Sequence, residues 1–270
     1  MPSSHDQPRV SFLLGKPLRS GVVLADVRNL LSAASILVDT HVPNGGQPLP
    51  DWLLASDLVV QRGLGLAALT SAAELERGGV RCCNRIAATI RLRDRAVMTA
   101  SLAAAGVPVP ATFVTATWPD VRDAFSGVQV VVKRADGVDG RGIGVLIAAT
   151  GELPPVPPFA GPYIVQDYIP SDGVDYKVYM VGTGASGLVK RWSPDGPTTP
   201  AAPFTVGEAF REVACLAGAA LGLEIYGVDI LAGPDGPVVV DVNPFPGFRG
   251  VADAAVRIAH HLESILAGDA

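Results

Sequence analysis

Near the start of the chain, apolar residues fall into short runs separated by stretches of helical spacing. Val10–Leu14 predicts a buried strand, and Val22, Val23, Val27, Leu30 and Leu31 recur behind it at helical spacing. Ser35–Val38 and Asp57–Gln61 predict two more strands around a proline-rich loop, His41–Asp51. Leu64–Arg77 is helical in pattern and stops at Gly78-Gly79, and Val80–Cys82 is a further strand. Strands alternating with helices predict a small parallel α/β layer. Asn84 then reads as the cap of a helix running to Leu92, and Asp94 as the cap of another through Ala105, before Gly106. Beyond these the pattern turns to strands: Val128–Val132, Val145–Ala148, Tyr163–Asp167, Gly173–Gly182 and Gly187–Ser193, the last two paired. Residues 151–161 predict a loop. Thr205 with Glu208 reads as a capping box for a helix through Phe210, Val213, Ala217 and Leu221, ending at Gly222. Ala252–Leu266 predicts a closing amphipathic helix with His260 and His261 on its solvated side. Adjacent residues do not share a helix face, so that pair is a poor metal site.

The stretch Glu224–Arg249 carries the strongest candidate chemistry. Ile225–Leu231 and Pro237–Val242 are apolar runs joined by Ala232-Gly233-Pro234-Asp235-Gly236, a hairpin signal. Asp229 lies on the first strand and Asp241 near the end of the second, and Asn243 shares the face of Asp241 because side chains alternate with period 2. Two buried carboxylates this close are costly unless a cation neutralises them. Mg²⁺ suits such a set, since it takes few protein carboxylates and keeps positions for water and phosphate. An ordinary solvated hairpin face is the other reading that spacing alone leaves open.

Composition narrows the field. With 270 residues, 49% hydrophobic and 17% charged, the chain can bury a substantial core as one unit with sub-lobes or as two small domains. A net charge of −5 and a pI near 5.3 provide no basic stripe for nucleic acid. No apolar run reaches the roughly 20 residues that span a bilayer, and Met1–Arg9 reads as a polar arm without a signal-peptide core. Cys82, Cys83 and Cys215 lack metal-site spacing and read as reduced thiols of a cytoplasmic protein. Anion-binding candidates are therefore single placed cations. Lys16 and Arg62 follow strands, where ligands gather in open α/β sheets, although surface ion pairs explain them as well. Lys133 ends a β-branched run before a glycine-rich segment through Gly144, which reads either as a phosphate cover or as a flexible hairpin turn.

The order Asp229, then Asp241-Val-Asn243-Pro-Phe-Pro-Gly247-Phe-Arg-Gly250, resembles the metal-binding end of the ATP-grasp superfamily. That superfamily includes RimK-type amino-acid ligases and inositol trisphosphate kinases. The resemblance covers the chain from Asn84 to Val251 and, more loosely, the part before it. It implies an α/β fold of α+β lobes: an N-terminal pre-ATP-grasp lobe over 1–83, connector helices and a nucleotide flap over 84–165, and a C-terminal lobe with the metal site over 166–270. It implies ATP and Mg²⁺ as cofactors, with Asp229, Asp241 and Asn243 as metal ligands. By the same resemblance Arg95, Lys133, Gly137, Gly140 and Gly142 meet phosphates. Val165, Gln166, Tyr168 and Ile169 adjoin adenine, either Asp167 or Asp175 meets the ribose, and Lys177 and Ser193 face ATP. Arg62 and Arg191 face the acceptor and, with Lys177, form the expected catalytic set.

Two chemistries follow from that resemblance. Gly140-Arg-Gly142-Ile-Gly144 is similar to the flap of the ligases and holds no histidine, whereas Asp241 and the Lys177–Ser193 pattern are similar to the kinases. Lys16, Arg62, Arg191, Arg141 and Arg249 supply few cations for a polyphosphorylated substrate and suit a molecule with one or two carboxylates better. The expectation is therefore a ligase that phosphorylates a small carboxylate and joins it to an amine. An inositol phosphate kinase is the alternative, and a non-catalytic binding module is disfavoured by the complete set Lys133, Asp229, Asp241 and Asn243. The expected partner is a small-molecule carboxylate or amino-acid substrate, with no nucleic acid and no membrane, and a homo-oligomer is left open.

Overall fold

A computed structural model of the chain describes residues 7–44, 47–124, 128–136, 145–191 and 201–269. Gly137, Gly140, Arg141, Gly142, Trp192 and Ser193 lie outside the described residues. The N-terminal layer runs β1 (Arg9–Leu14), α1 (Val23–Ala33), β2 (Leu37–His41), β3 (Leu58–Arg62), α2 (Leu66–Arg77) and β4 (Arg81–Cys83). Its strands are all parallel, in the order β2-β1-β3-β4. β2 begins two residues later than its apolar pattern predicts, because α1 ends through Ser35. That residue has φ 63°, its N–H donates to the Ser32 carbonyl, and the next N–H, of Ile36, donates to Leu31. Those two bonds satisfy helix-end carbonyls and leave Ser35 no place in the strand.

Next come α3 (Ile86–Arg91) and α4 (Arg95–Ala104), and here the expected cap is corrected. Asn84 does not cap α3. Its side chain is fully buried, donates to the Ile225 carbonyl at 2.6 Å and accepts from the N–H groups of Glu224 and Ile225 at 2.8 Å. A buried amide must find partners, and these lie on the C-terminal lobe. The orphan N–H groups of α3 are taken instead by the Glu76 carboxylate, which accepts from Ile86 and Ala87. Asp94 does cap α4, accepting from Ala96 and Val97.

A second sheet consists of β5 (Thr112–Thr115), β6 (Gln129–Arg134), β7 (Val145–Ala149) and β8 (Tyr163–Asp167), antiparallel in the order β5-β8-β6-β7, with α5 (Trp118–Asp123) after β5. The third contains β9 (Val174–Val181), β10 (Gly184–Arg191), β11 (Ala202–Phe204), then α6 (Glu208–Leu221), β12 (Ile225–Gly233) and β13 (Gly236–Pro244), in the antiparallel order β11-β10-β9-β12-β13. The chain closes with α7 (Ala254–Ala267). No capping box forms at Thr205. The Phe204 ring lies over Gly187 and against Tyr176 and Phe210, which draws Ala202–Phe204 into the sheet and leaves Gly207 as the cap of α6.

The third sheet explains how the lobes join. On one face Val178, Met180, Val228, Ile230, Val239 and Val242 pack against α6 and against Met98 and Leu102 of α4. On the other, Tyr179, Val181, Ile225 and Leu188 share a core with Val10, Phe12 and Leu14 of β1, with α1 and with Ile258 and Leu262 of α7. The N-terminal layer therefore shares its core with the C-terminal lobe. The second sheet keeps a smaller core of its own around Trp118, Val121, Val130, Val132, Tyr163 and Val165. Among the described residues no helix is long and apolar enough to cross a membrane.

Candidate active site

The site begins with one extra residue in β13. From the turn, Gly233 pairs with Gly236 and Ile230 with Val239, a register that would set Asp229 opposite Val240. A bulge intervenes, and Asp229 pairs with Asp241 instead. Directly opposed residues share a face, so the bulge turns Asp241 and Asn243 onto the face of Asp229 while Val239 and Val242 both stay in the core. On the other side Asp229 pairs with Lys177 of β9. A charged row thus crosses the sheet, with Asp175 two residues further along β9 and Lys190 of β10 opposite it.

Within the row the Lys177 ammonium lies 2.6 Å from Asp229, and the Asn243 amide donates to the other Asp229 oxygen at 3.4 Å. Among the described residues Asp241 accepts only from its neighbour's N–H, that of Val242, at 3.0 Å. Burial and then the Asp229 charge push the Asp241 carboxyl above its ordinary range, against the pull of Lys133, Arg95 and Lys177. Asp175 is pushed up by burial and again by Asp229. Asp229, Asp241 and Asn243 share one face of the hairpin with Asp175 beside them, a set of oxygen donors that fits a hard cation such as Mg²⁺.

Opposite the bulge stands Lys133, at the end of β6. Its ammonium donates to the Gln166 side chain at 3.0 Å and to the Val240 carbonyl, on the bulge itself, at 3.4 Å. Burial lowers its pKa, the Asp241 charge opposes that, and Arg95 reinforces it. Arg95 begins α4 and donates to the Arg134 carbonyl, which brings a second cation to the end of β6. Gln166 is 3% exposed, its amide spent on Lys133 and on Thr112. Its side chain therefore positions the lysine. The N–H groups of Asp167 and Tyr168 are also engaged, with Ala111 and Gln129. Ile169 lies beside Gly233 at the β12–β13 turn.

The corner around Arg62 is built by the loop after β13. Phe245 and Phe248 adopt left-handed backbone, with φ 43° and 51°, and bury their rings in the shared core. Such backbone costs about 1–3 kcal/mol per residue, which burying a phenylalanine side chain, about 1.5–3 kcal/mol, offsets. The turn presents the Phe245 carbonyl to Arg62 Nε at 3.2 Å. Burial and then the nearby Arg249 charge lower the Arg62 pKa, so two guanidinium groups share this corner. Lys16 follows β1, which pairs with β3 through Leu14 and Arg62, and is exposed. Arg191 departs from expectation. It pairs with Val174, on the face opposite Asp175 and Lys177, while Lys190 occupies the site face. Strand alternation would have pointed to Lys190 had the register been known.

The RimK-like ATP-grasp domain model matches residues 92–266 of this chain. A probable alpha-L-glutamate ligase of Xylella fastidiosa (strain M12) is 30% identical over 200 residues, which are 67% of this chain and 66% of that protein. A RimK domain ATP-grasp protein from Sphaerobacter thermophilus has a solved structure similar to this one at a TM-score of 0.73, with 23% identity, covering 96% of this chain and 100% of its own. The ATP-grasp ligase PsnB, solved with a minimal precursor, Mg and ADP, is similar at a TM-score of 0.69 and 18% identity, covering 100% and 99%. At these identities the two solved structures speak for the fold.

Proposed function

The chain belongs to the RimK-like ATP-grasp family, and from that premise we propose that it is an ATP- and Mg²⁺-dependent carboxylate–amine ligase. One observation carries the reading: Lys133 and Arg95, at the end of the second sheet, face the Asp229–Asp241–Asn243 row across the Val240 bulge. A nucleotide triphosphate bound there has cations on one side and oxygen donors on the other. Asp229, Asp241 and Asn243 would hold Mg²⁺, which supplies charge neutralisation and alignment of the phosphates. Lys133 and Arg95 bind the phosphates, and Gln166 keeps the Lys133 ammonium aimed at them. Lys177 is kept in the row by Asp229, ready to follow the transferred phosphoryl group.

Arg62 and Arg249 hold the carboxylate of the acceptor. A carboxylate oxygen attacks the γ-phosphorus, ADP leaves, and an acylphosphate remains. A neutral amine then attacks the acyl carbon, phosphate departs, and the proton lost by the amine passes to solvent. Since the Xylella relative is named a glutamate ligase, we place L-glutamate first among the substrates. Nothing in the fold or the comparisons favours the kinase alternative. The test is ADP release with Mg²⁺ across amino acids, dipeptides and inositol phosphates. Turnover with an amino-acid pair supports the ligase, and turnover only with an inositol phosphate overturns it.

A further inference from the structure

Away from the charged row, three segments bring metal-ligating side chains together. Cys83 ends β4, Glu224 immediately precedes β12 and His261 lies on α7, and their ligand atoms all lie within 4.8 Å of one another. His261 was expected on the solvated side of its helix. Its Nε2 is instead buried, without a hydrogen-bond partner among the described residues, 3.4 Å from a Glu224 oxygen. Cys83 is a free, fully buried thiol. We propose that Cys83, Glu224 and His261 bind a zinc ion.

Three observations support the site. A tetrahedral ion with bonds of about 2.0–2.3 Å has ligand edges of about 3.2–3.8 Å, and the Glu224–His261 separation falls in that range. The ligands are also supported from behind. Arg81 donates to both Glu224 oxygens at 3.0 Å, and the imidazole lies over Gly182, where a Cβ would come within 3.1 Å of Nδ1. Finally, Glu224 and His261 line a surface groove with Arg81 and Gly182, which gives an ion a way in and a water the fourth position. Sulfur, imidazole and carboxylate together select zinc over the hard cation of the nucleotide site. Binding exchanges the thiol proton for the ion: the Sγ–H bond breaks, an Sγ–Zn bond forms, and the proton passes to solvent. The ion would clasp the parallel sheet, the start of the β12–β13 hairpin and the last helix, along the seam that Asn84 already bridges.

The test uses the full chain, stripped with a chelator and titrated with Co²⁺ without nucleotide. We expect a thiolate-to-cobalt charge-transfer absorption with the visible bands of a tetrahedral ion, displaced by Zn²⁺. Cys83→Ser should abolish the charge-transfer band, His261→Gln should weaken Co²⁺ binding by more than about tenfold, and Cys82→Ser and Asp241→Asn should leave the spectrum unchanged. Zn²⁺ should raise the thermal midpoint of the wild type and not that of His261→Gln. No charge-transfer band in the wild type, a band that survives Cys83→Ser, or unaltered affinity in His261→Gln overturns the site.

Discussion

The β12–β13 hairpin and the β6–β7 hairpin bring opposite charges to the same place on very different supports. The first lies in a sheet packed on both faces, by α4 and α6 on one side and by β1, α1 and α7 on the other. The second belongs to a sheet with a smaller core of its own, tied to the body through polar contacts: Lys133 to the Val240 carbonyl, Arg95 to the Arg134 carbonyl, and the Val239 N–H to the Pro108 carbonyl. Carboxylates can be kept close together at a cost only where the surrounding packing forbids relaxation, and the third sheet supplies that. Cations that must close over a nucleotide are better carried on a lobe with few fixed contacts, since locally unstable units supply the moving parts of proteins.

Substitutions in either hairpin test this division of labour. The largest loss is expected from Asp241→Asn or Asn243→Ala, each removing an ion ligand and little packing. Turnover with MgATP should fall more than about a hundredfold with an unchanged thermal midpoint, and near-normal turnover in either variant would remove the hairpin from the site. On the opposite wall, Lys133→Ala should raise the KM for ATP about ten- to a hundredfold, the value of one charge-assisted hydrogen bond, while the KM for the acceptor moves little. An unchanged ATP titration would separate the β6 end from the nucleotide.

Arg62→Lys keeps the charge but loses the planar fork that matches a carboxylate, so the KM for the acceptor should rise about tenfold or more. Arg191→Lys should lose less than Arg62→Lys, because the register sets Arg191 on the face away from the carboxylates. Equal losses would return Arg191 to the acceptor side. The smallest effect is expected from Gln166→Ala, which frees Lys133 without removing its charge. About one hydrogen bond's worth, 0.5–1.5 kcal/mol, should appear in ATP binding, read by calorimetry with a nonhydrolysable analogue.

Elements with one dominant signal were legible in the sequence. The parallel layer, α4 with its Asp94 cap, β8 and the paired carboxylate strands follow from hydrophobic period and turn residues. What escaped depended on partners distant in the chain. Asn84 looks like a helix cap until Ile225 and Glu224, far along the sequence, take its side chain. Glu76 caps a helix that it does not belong to. The bulge at Val240 is invisible to a pattern of period 2, yet it decides that Asp241 faces Asp229. The choice between Lys190 and Arg191 needed the β9–β10 register. His261 lies on α7 at a position where helical period alone does not foresee Cys83 beneath it.

Most direct for the ligase chemistry is hydroxylamine trapping with MgATP and the carboxylic acid that best stimulates ADP release, L-glutamate tried first. A hydroxamate of that acid is expected, formed in step with ADP and orthophosphate and absent without Mg²⁺. Labelled γ-phosphate recovered as a stable phosphate ester, with no hydroxamate and no orthophosphate, would contradict it.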